Sequence, residues 1–303
     1  GGLCHCRAGG STVEGRGASS NAATIPALLE TELRSRHPEK RIRVINAGHI
    51  GDIAFQELYR FQGKIAYQFR PRLVIALDGR NDGFNAASYA DHGWRENWIP
   101  YFDQLAGQIN VIMRKGGTSP LAGIKAALNH YSMINALVLS AIRTKEKSAS
   151  YPQQSAPPVD VMKSAAKAYL NNHILLEQFS RLTGSRYFAF LQPAMFDNKK
   201  QLTPHERELK EDFENKFAEP VFWAALEQFY EFAHEQSGTL PFFYDISDVF
   251  LDTPEQLYHD RCHYNDAGNR IIVRRIIQTI DGYVAQDAGA ILPAMEIAPD
   301  ALR

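Results

Sequence analysis

The sequence predicts an α/β protein with a central parallel sheet of about five strands and helices on both faces, and three observations carry that prediction. Short runs rich in β-branched and aromatic residues alternate with stretches of helical spacing. One run, Leu73-Val74-Ile75-Ala76-Leu77, is apolar at every position, as a parallel strand buried on both faces should be. The turns between are short, which suits strand–helix–strand units stacked into one layered domain.

Each element follows in order. Thr24 to Arg36 carries Ile25, Leu28, Leu29 and Leu33 at helical spacing, with Thr24 as N-cap and Pro26 in the first turn; His37-Pro38 ends it. Arg41 to Asn46 is a short β-branched strand that stops at Ala47-Gly48. Ile53 to Ile65 is helical again through Ile53, Leu58, Phe61 and Ile65, and Leu73 to Leu77 is the buried strand. From about residue 88 to 160 the pattern changes. No strand is evident, Trp94, Trp98, Tyr101 and Phe102 cluster, Leu121 to Ile142 reads as apolar helix, and Tyr151 to Pro158 is a linker by composition. This stretch is expected to be a mostly helical insertion that covers the sheet's C-terminal edge or makes a homo-oligomer contact. Alternation then resumes: a helix over Met162 to Leu182, a strand over Arg186 to Gln192, helices over Pro204 to Phe217 and Pro220 to His234, a last strand over Leu240 to Ile246, and a closing helix over Ala267 to Val284.

Composition narrows the function classes. At 303 residues the chain is long for one domain but fits one α/β unit with an insertion. The formal net charge of −1 gives no reason to expect nucleic acid or an anionic membrane as partner. No apolar run approaches the roughly 20 residues that span a bilayer, and no secretory pattern opens the chain. Cys4, Cys6 and Cys262 are too few for a disulfide framework, and Cys4-His5-Cys6 lacks the second cluster that a structural zinc site needs, so no metal or cofactor is expected.

Four polar positions stand at element boundaries. Ser11 lies in Gly9-Gly10-Ser11-Thr12, Asn81 in Gly79-Arg80-Asn81-Asp82 directly after the buried strand, and Asp260 and His263 form a D-x-x-H before the closing helix. Ligands of open parallel sheets bind at the carboxyl ends of the strands, and the alternation brings Ser11, Gly51, Asn81 and His263 to that edge. A serine, an amide donor and a histidine with a carboxylate are the parts of a serine esterase. His259 is the rival to His263, and His259-x-x-x-His263 has metal-ligand spacing. However, Asn265-Asp266-Ala267-Gly268 reads as the helix start, which leaves both histidines in a loop. The nucleophile elbow of ordinary α/β hydrolases is absent, since Val13 occupies its last glycine position.

At these residues the chain resembles the SGNH hydrolases, also called the GDSL family. Gly9-Gly10-Ser11-Thr12 resembles the first block, with Gly10 where Asp is more usual. Asn46-Ala47-Gly48-His49-Ile50-Gly51-Asp52 resembles the second, Gly79-Arg80-Asn81-Asp82 the third, and Asp260-Arg261-Cys262-His263 the fifth. The resemblance implies a three-layer, flavodoxin-like fold and acyl transfer through an ester on Ser11. His263 would act as base, Asp260 would orient it, and an oxyanion hole would form from the Ser11 and Gly51 N–H groups and the Asn81 amide. Gly48 is the alternative to Gly51. Arg80 and Gln192 are candidates for substrate contact. A helix after Ser11 would place its N-terminal dipole at the oxyanion. Leu3 to Ala8 should be a central strand, and His5 and Arg7 within it predict a short or irregular one.

The resemblance of the first block implies short acyl groups, with O-acetylated carbohydrate as the leading substrate. A lipase or lysophospholipase, an O-acyltransferase, and a catalytically inactive binding protein on the same fold are the alternatives.

Overall fold

The computed structural model describes residues 3–90, 94–97, 158–195, 200–217 and 220–286. Among them five parallel strands form one sheet: β1 (Leu3–Gly9), β2 (Ile42–Asn46), β3 (Leu73–Asp78), β4 (Arg186–Leu191) and β5 (Phe243–Asp245), in the spatial order β2-β1-β3-β4-β5. The helices are α1 (Ser11–Glu14), α2 (Ile25–Arg36), α3 (Ala54–Arg60), α4 (Ala66–Phe69), α5 (Arg80–Tyr89), α6 (Val159–Leu182), α7 (Pro204–Phe217), α8 (Pro220–Ser237) and α9 (Asp266–Ala285).

Period-two alternation along the buried strands divides the core. Val74 and Ala76 of β3, with Tyr187, Ala189 and Leu191 of β4, face one apolar cluster with Leu58, Tyr169, Leu226 and Phe229 from α3, α6 and α8. Leu73, Ile75 and Leu77, with Phe188 and Phe190, face another with Leu29 and Leu33 of α2 and Ile272, Ile276 and Ile280 of α9. Helices therefore cover both faces, and β3 is apolar from Leu73 to Leu77 because each of those side chains meets one or the other cluster.

Several elements differ from expectation. β1 is a seven-residue strand paired along its length, Leu3 to Arg7 against Ile42 to Asn46 and His5 to Gly9 against Leu73 to Leu77. The irregular strand expected from His5 and Arg7 is not found, because backbone pairing on both sides fixes the register. The helix expected to end at Ile65 continues to Phe69 through a π-helical segment, Phe61–Ile65, around Gly63. It stops at Arg70, left-handed with φ 44°, before Pro71. β5 is shorter than Leu240 to Ile246. The Leu240 N–H donates to Ser237, the Phe243 N–H to Leu240, and Pro241 has no N–H to give a ladder. Thr24 sits at the N-cap of α2, but its hydroxyl donates back to Asn21.

The expected insertion falls almost wholly outside the described residues. At its margins α5 runs to Tyr89, Trp94 packs on the core beside α5, and α6 begins at Val159. No helix among the described residues is long and apolar enough to cross a membrane.

Candidate functional site

The turns at the carboxyl ends of β1, β2 and β3, with the loop before α9, assemble the site. After β1 the chain turns at Gly9, whose φ of 153° and contacts exclude a side chain: a Cβ there would lie 2.3 Å from Val13 Cγ2 and 2.7 Å from the Leu77 carbonyl. Ser11 therefore enters a single turn of helix, half-buried, with its hydroxyl at the sheet edge. Because α1 has only four residues, the helix dipole expected at Ser11 is small, and any oxyanion there must be held by individual donors.

Ser11 Oγ lies 2.6 Å from His263 Nε2. On the other side of the ring, His263 Nδ1 lies 2.7 Å from Asp260 Oδ2 and 2.8 Å from Oδ1. The Asp260 carboxylate also accepts the backbone N–H groups of Cys262 (3.0 Å) and His263 (2.9 Å), so it closes the turn that presents the imidazole. Burial opposes the charge on Asp260, but these donors overcome it and hold the carboxyl well below the usual range. Burial likewise disfavours imidazolium at His263. The Asp260 hydrogen bond and the neighbouring Cys262 thiol outweigh it and push His263 up to about 9.

The loop that carries this pair is braced from below. The His259 N–H donates to the His263 carbonyl, and Tyr258 and Tyr264 form an antiparallel bridge. Buried Glu206 accepts the N–H groups of Leu257 (2.8 Å) and Tyr258 (3.1 Å) and pairs with Lys200 at 2.6 Å. Burial raises the proton affinity of Glu206, and the ammonium and backbone donors reverse it, so this carboxyl lies below its ordinary value. Asn265 caps α9 by accepting from Ala267 and Gly268. The loop also grips the Ser11 side of the site: the Ser19 N–H and hydroxyl donate to Asp266, and Gly17, at φ 91°, lies where a Cβ would be 2.5 Å from the Tyr264 carbonyl.

Asn81, half-buried at the start of α5, donates from Nδ2 to the Asp52 carbonyl at 2.9 Å. A Cβ on Gly10 would stand 2.6 Å from the same Nδ2. The turns after β1, β2 and β3 thus meet at one point, and glycine at position 10 leaves Asn81 room to lie against the backbone beside Ser11. An amide nitrogen has two hydrogens, so one remains for a ligand. Gly51 precedes Asp52 in an exposed left-handed turn with φ 78°. Gly48 is used otherwise. Its N–H donates to Asn46 Oδ1, and a Cβ on it would lie 2.3 Å from the Glu14 nitrogen, so it allows the second turn to pack on α1.

The other two sequence candidates differ in setting. Arg80 is 6% exposed, and its guanidinium carbon lies 4.2 Å above the Phe84 ring. Gln192 is buried and engaged: its N–H donates to the Asp78 carbonyl, its carbonyl accepts from Tyr230, and its side-chain amide reaches Tyr264 Oη at 3.3 Å. Tyr264 Oη in turn donates to the Pro193 carbonyl.

Sequence reading missed a buried polar network behind α5. Asp78 Oδ1 accepts from Tyr169 Oη at 2.8 Å and lies 3.2 Å from His173 Nε2, and His173 Nδ1 lies 2.6 Å from Tyr187 Oη. Burial raises Asp78's proton affinity, but the imidazole opposite it prevails and keeps the carboxyl low. Glu57 and Asp82 are pushed well above the carboxylate range, by burial first and then by the charge of Asp78. Asp82 accepts the Ala54 N–H and so ties α5 to α3. Only a single acid ending an apolar run, Asp78, signalled this network. Glu206 had a clearer signal, since Thr203-Pro204-His205-Glu206 is a capping box, and both of its reciprocal bonds are made.

Among the described residues, Asp260, Cys262 and His263 form the group whose donor atoms gather as metal ligands do. Their hydrogen bonding argues for proton handling, since Nδ1 of the ring is taken by Asp260 and Nε2 by Ser11. His259 is exposed and stands apart from that chain of bonds. The side chains of Cys4 and Cys6 lie outside the described residues.

No known family model matches the chain, and no curated protein does. Among solved structures it is similar to an α/β hydrolase enzyme from the metagenome of Lake Arreo, Spain, with TM-score 0.49, 14% identity, and 92% of this chain and 95% of that one covered. It is similar also to a two-domain esterase active on acetylated mannans (TM-score 0.49, 12% identity, 98% of this chain and 53% of that one). A lipase from a goat rumen metagenome gives TM-score 0.49 and 13% identity over 91% of this chain and 96% of that one. The chain spans about half the length of the two-domain esterase. Likeness at this level concerns the chain path, and the chemistry must be argued from side chains.

Proposed function

We propose that the chain is a serine ester hydrolase of the SGNH type, acting through an acyl-enzyme on Ser11. The observation that carries this reading is the unbroken line of short hydrogen bonds from Ser11 Oγ through His263 to Asp260. The strand order β2-β1-β3-β4-β5 supports the flavodoxin-like arrangement.

In the proposed reaction, Ser11 Oγ attacks the ester carbonyl carbon as its proton passes to His263 Nε2, and Asp260 stabilises the imidazolium at Nδ1. The carbonyl π-electrons move to oxygen. The Ser11 and Gly51 N–H groups and the remaining Asn81 N–H hold that oxyanion. Gly51 is preferred to Gly48 because the Gly48 N–H is already bonded to Asn46. As the intermediate collapses, the alcohol leaves with the proton from His263. Water then attacks the acyl-enzyme, gives its proton to His263, and releases the carboxylic acid and free Ser11. Short acyl groups, acetyl above all, are the substrates we assign, with O-acetylated carbohydrate the leading class. No cofactor enters the steps.

Turnover of 4-nitrophenyl acetate, butyrate and octanoate by the wild type and Ser11→Ala tests the reading. It expects acetate hydrolysis that vanishes in the variant. A folded wild type that cleaves none of the three, or an unchanged rate in Ser11→Ala, would remove it.

A further inference from the structure

Arg80 is a cation that the fold buries, and no carboxylate among the described residues pairs with it. It is 6% exposed, and no group among the described residues accepts from its Nε or Nη2. Its one described contact is the Phe84 face. The acids near it in sequence and at the candidate site are engaged elsewhere, Asp78 with Tyr169 and His173. Asp82 accepts the Ala54 N–H, and burial pushes its carboxyl well above the carboxylate range, toward the uncharged acid. Asp260 is committed to His263. Other cations gather instead. Arg261 stands between Asp260 and Cys262 in the catalytic loop, and burial first, then the charges of Arg80 and Arg16, lower its pKa. Arg80's charge also reaches Cys262, whose sulfur lies 3.5 Å from His263 Nδ1. A buried guanidinium that no described carboxylate answers, within electrostatic reach of the Arg261 guanidinium, is an unfavourable arrangement for a core. It becomes favourable when a ligand supplies the anion, since a guanidinium binds a planar or tetrahedral oxyanion through paired hydrogen bonds. Arg80 is also chained to the reaction centre: its neighbour Asn81 is the amide that packs against Gly10 beside Ser11.

We propose that Arg80 recognises an anionic oxygen group, a carboxylate or a phosphate, on the alcohol portion of the ester that Ser11 attacks. The inference rests on the ester-hydrolase reading for its substrate and narrows it. An acetyl group has no place for a charge, so the anion belongs to the alcohol, as in an O-acetylated acidic sugar.

The test compares kcat/KM for 4-acetoxybenzoate and 4-acetoxyphenyl phosphate with that for methyl 4-acetoxybenzoate, in the wild type, Arg80→Met and, should that variant not fold, Arg80→Gln. The neutral ester has the better leaving group, so a preference for the anions cannot come from intrinsic reactivity. The wild type is expected to prefer at least one anion by about tenfold or more, the favoured arm separating carboxylate from phosphate, and the variant to lose that preference. Equal rates in the wild type, or a preference that survives in the variant, would overturn the proposal, while Ser11-dependent cleavage of the neutral ester would leave the esterase reading intact. If no ester is cleaved, the esterase reading fails, and melting temperature with inorganic phosphate and malonate decides the anion site. A rise in the wild type that is absent in the variant supports it; no rise, or an equal rise in both, overturns it.

Discussion

Two groups of carboxyls flank the end of β3, and their environments drive them in opposite directions. In the loop before α9, Asp260 is half-buried, meets imidazole and backbone donors, and holds its charge. Behind α5, Glu57 and Asp82 are pushed well above the carboxylate range, by burial and by the anion of Asp78 beside them. Asp78 alone stays charged there, because His173 and Tyr169 answer it. The same residue type is thus favoured as an anion in one place and as the protonated acid in the other. The difference lies in what donates to it. In the proposed reaction the first group shapes proton transfer, while Asp82 of the second ties the start of α5, from which Asn81 projects, to α3.

That contrast can be broken residue by residue. The largest effects on turnover belong to Ser11→Ala and His263→Ala, which are expected to reduce kcat by about 10⁶ in a protein that still folds, a loss typical of nucleophile or base removal. Asp260→Asn should reduce kcat by roughly 10⁴ and also spare the fold, since the amide presents the wrong hydrogen-bonding face to the imidazole. If Asp260→Asn instead lowers melting and spares kcat, the two groups do not differ as argued. Asn81→Ala should cost about 10²–10³ in kcat with little change in KM. Gly10→Ala, whose methyl would collide with the Asn81 amide, should move kcat the same way and less.

The buried group predicts the reverse pattern. Asp78→Asn leaves His173 facing no anion and should destabilise by about 3–5 kcal/mol, measured by urea unfolding. Glu57→Gln replaces a carboxyl whose proton affinity burial and Asp78 already raise, and should stay within about 1 kcal/mol of wild type. Equal losses from the two substitutions would show that Glu57 carries charge after all.

The smallest effects are in pH dependence. Since His263 must be neutral to accept the Ser11 proton, kcat/KM should rise with pH through about 9, well above the ordinary histidine value. The linked stability has the opposite sense. The raised His263 pKa contributes stability below the ordinary histidine pKa that is lost as pH rises through about 9, whereas the depressed Asp260 contributes stability at neutral pH that is lost toward acid. Cys262→Ser removes a group that helps raise His263 and should shift the rising limb toward lower pH. A profile unmoved by the substitution would confine control of His263 to Asp260.

Legibility in the sequence followed the range of the interactions. β3 was plain because each residue from Leu73 to Leu77 meets an apolar cluster, and the start of α9 because Asn265 caps it locally. Ser11, Asn81, Asp260 and His263 could be picked out because each stands at an element boundary, where periodicity breaks. What escaped depends on distant partners. Nothing near Gly10 in sequence announces that Asn81 lies against it, nor does Glu206 announce that its carboxylate supports Leu257 and Tyr258. The buried acids escaped for a related reason: Glu57 sits within a helical pattern like any surface glutamate, and its burial beside Asp78, which raises its proton affinity, is set by distant packing.

Covalent labelling with a fluorophosphonate, followed by intact mass and peptide mapping, tests the central claim most directly. The account predicts a single adduct on Ser11, absent in Ser11→Ala and greatly slowed in His263→Ala and Asp260→Asn. A folded wild type that takes no label, or that carries it on another residue, would contradict the assignment of Ser11 as a nucleophile driven by His263 and Asp260.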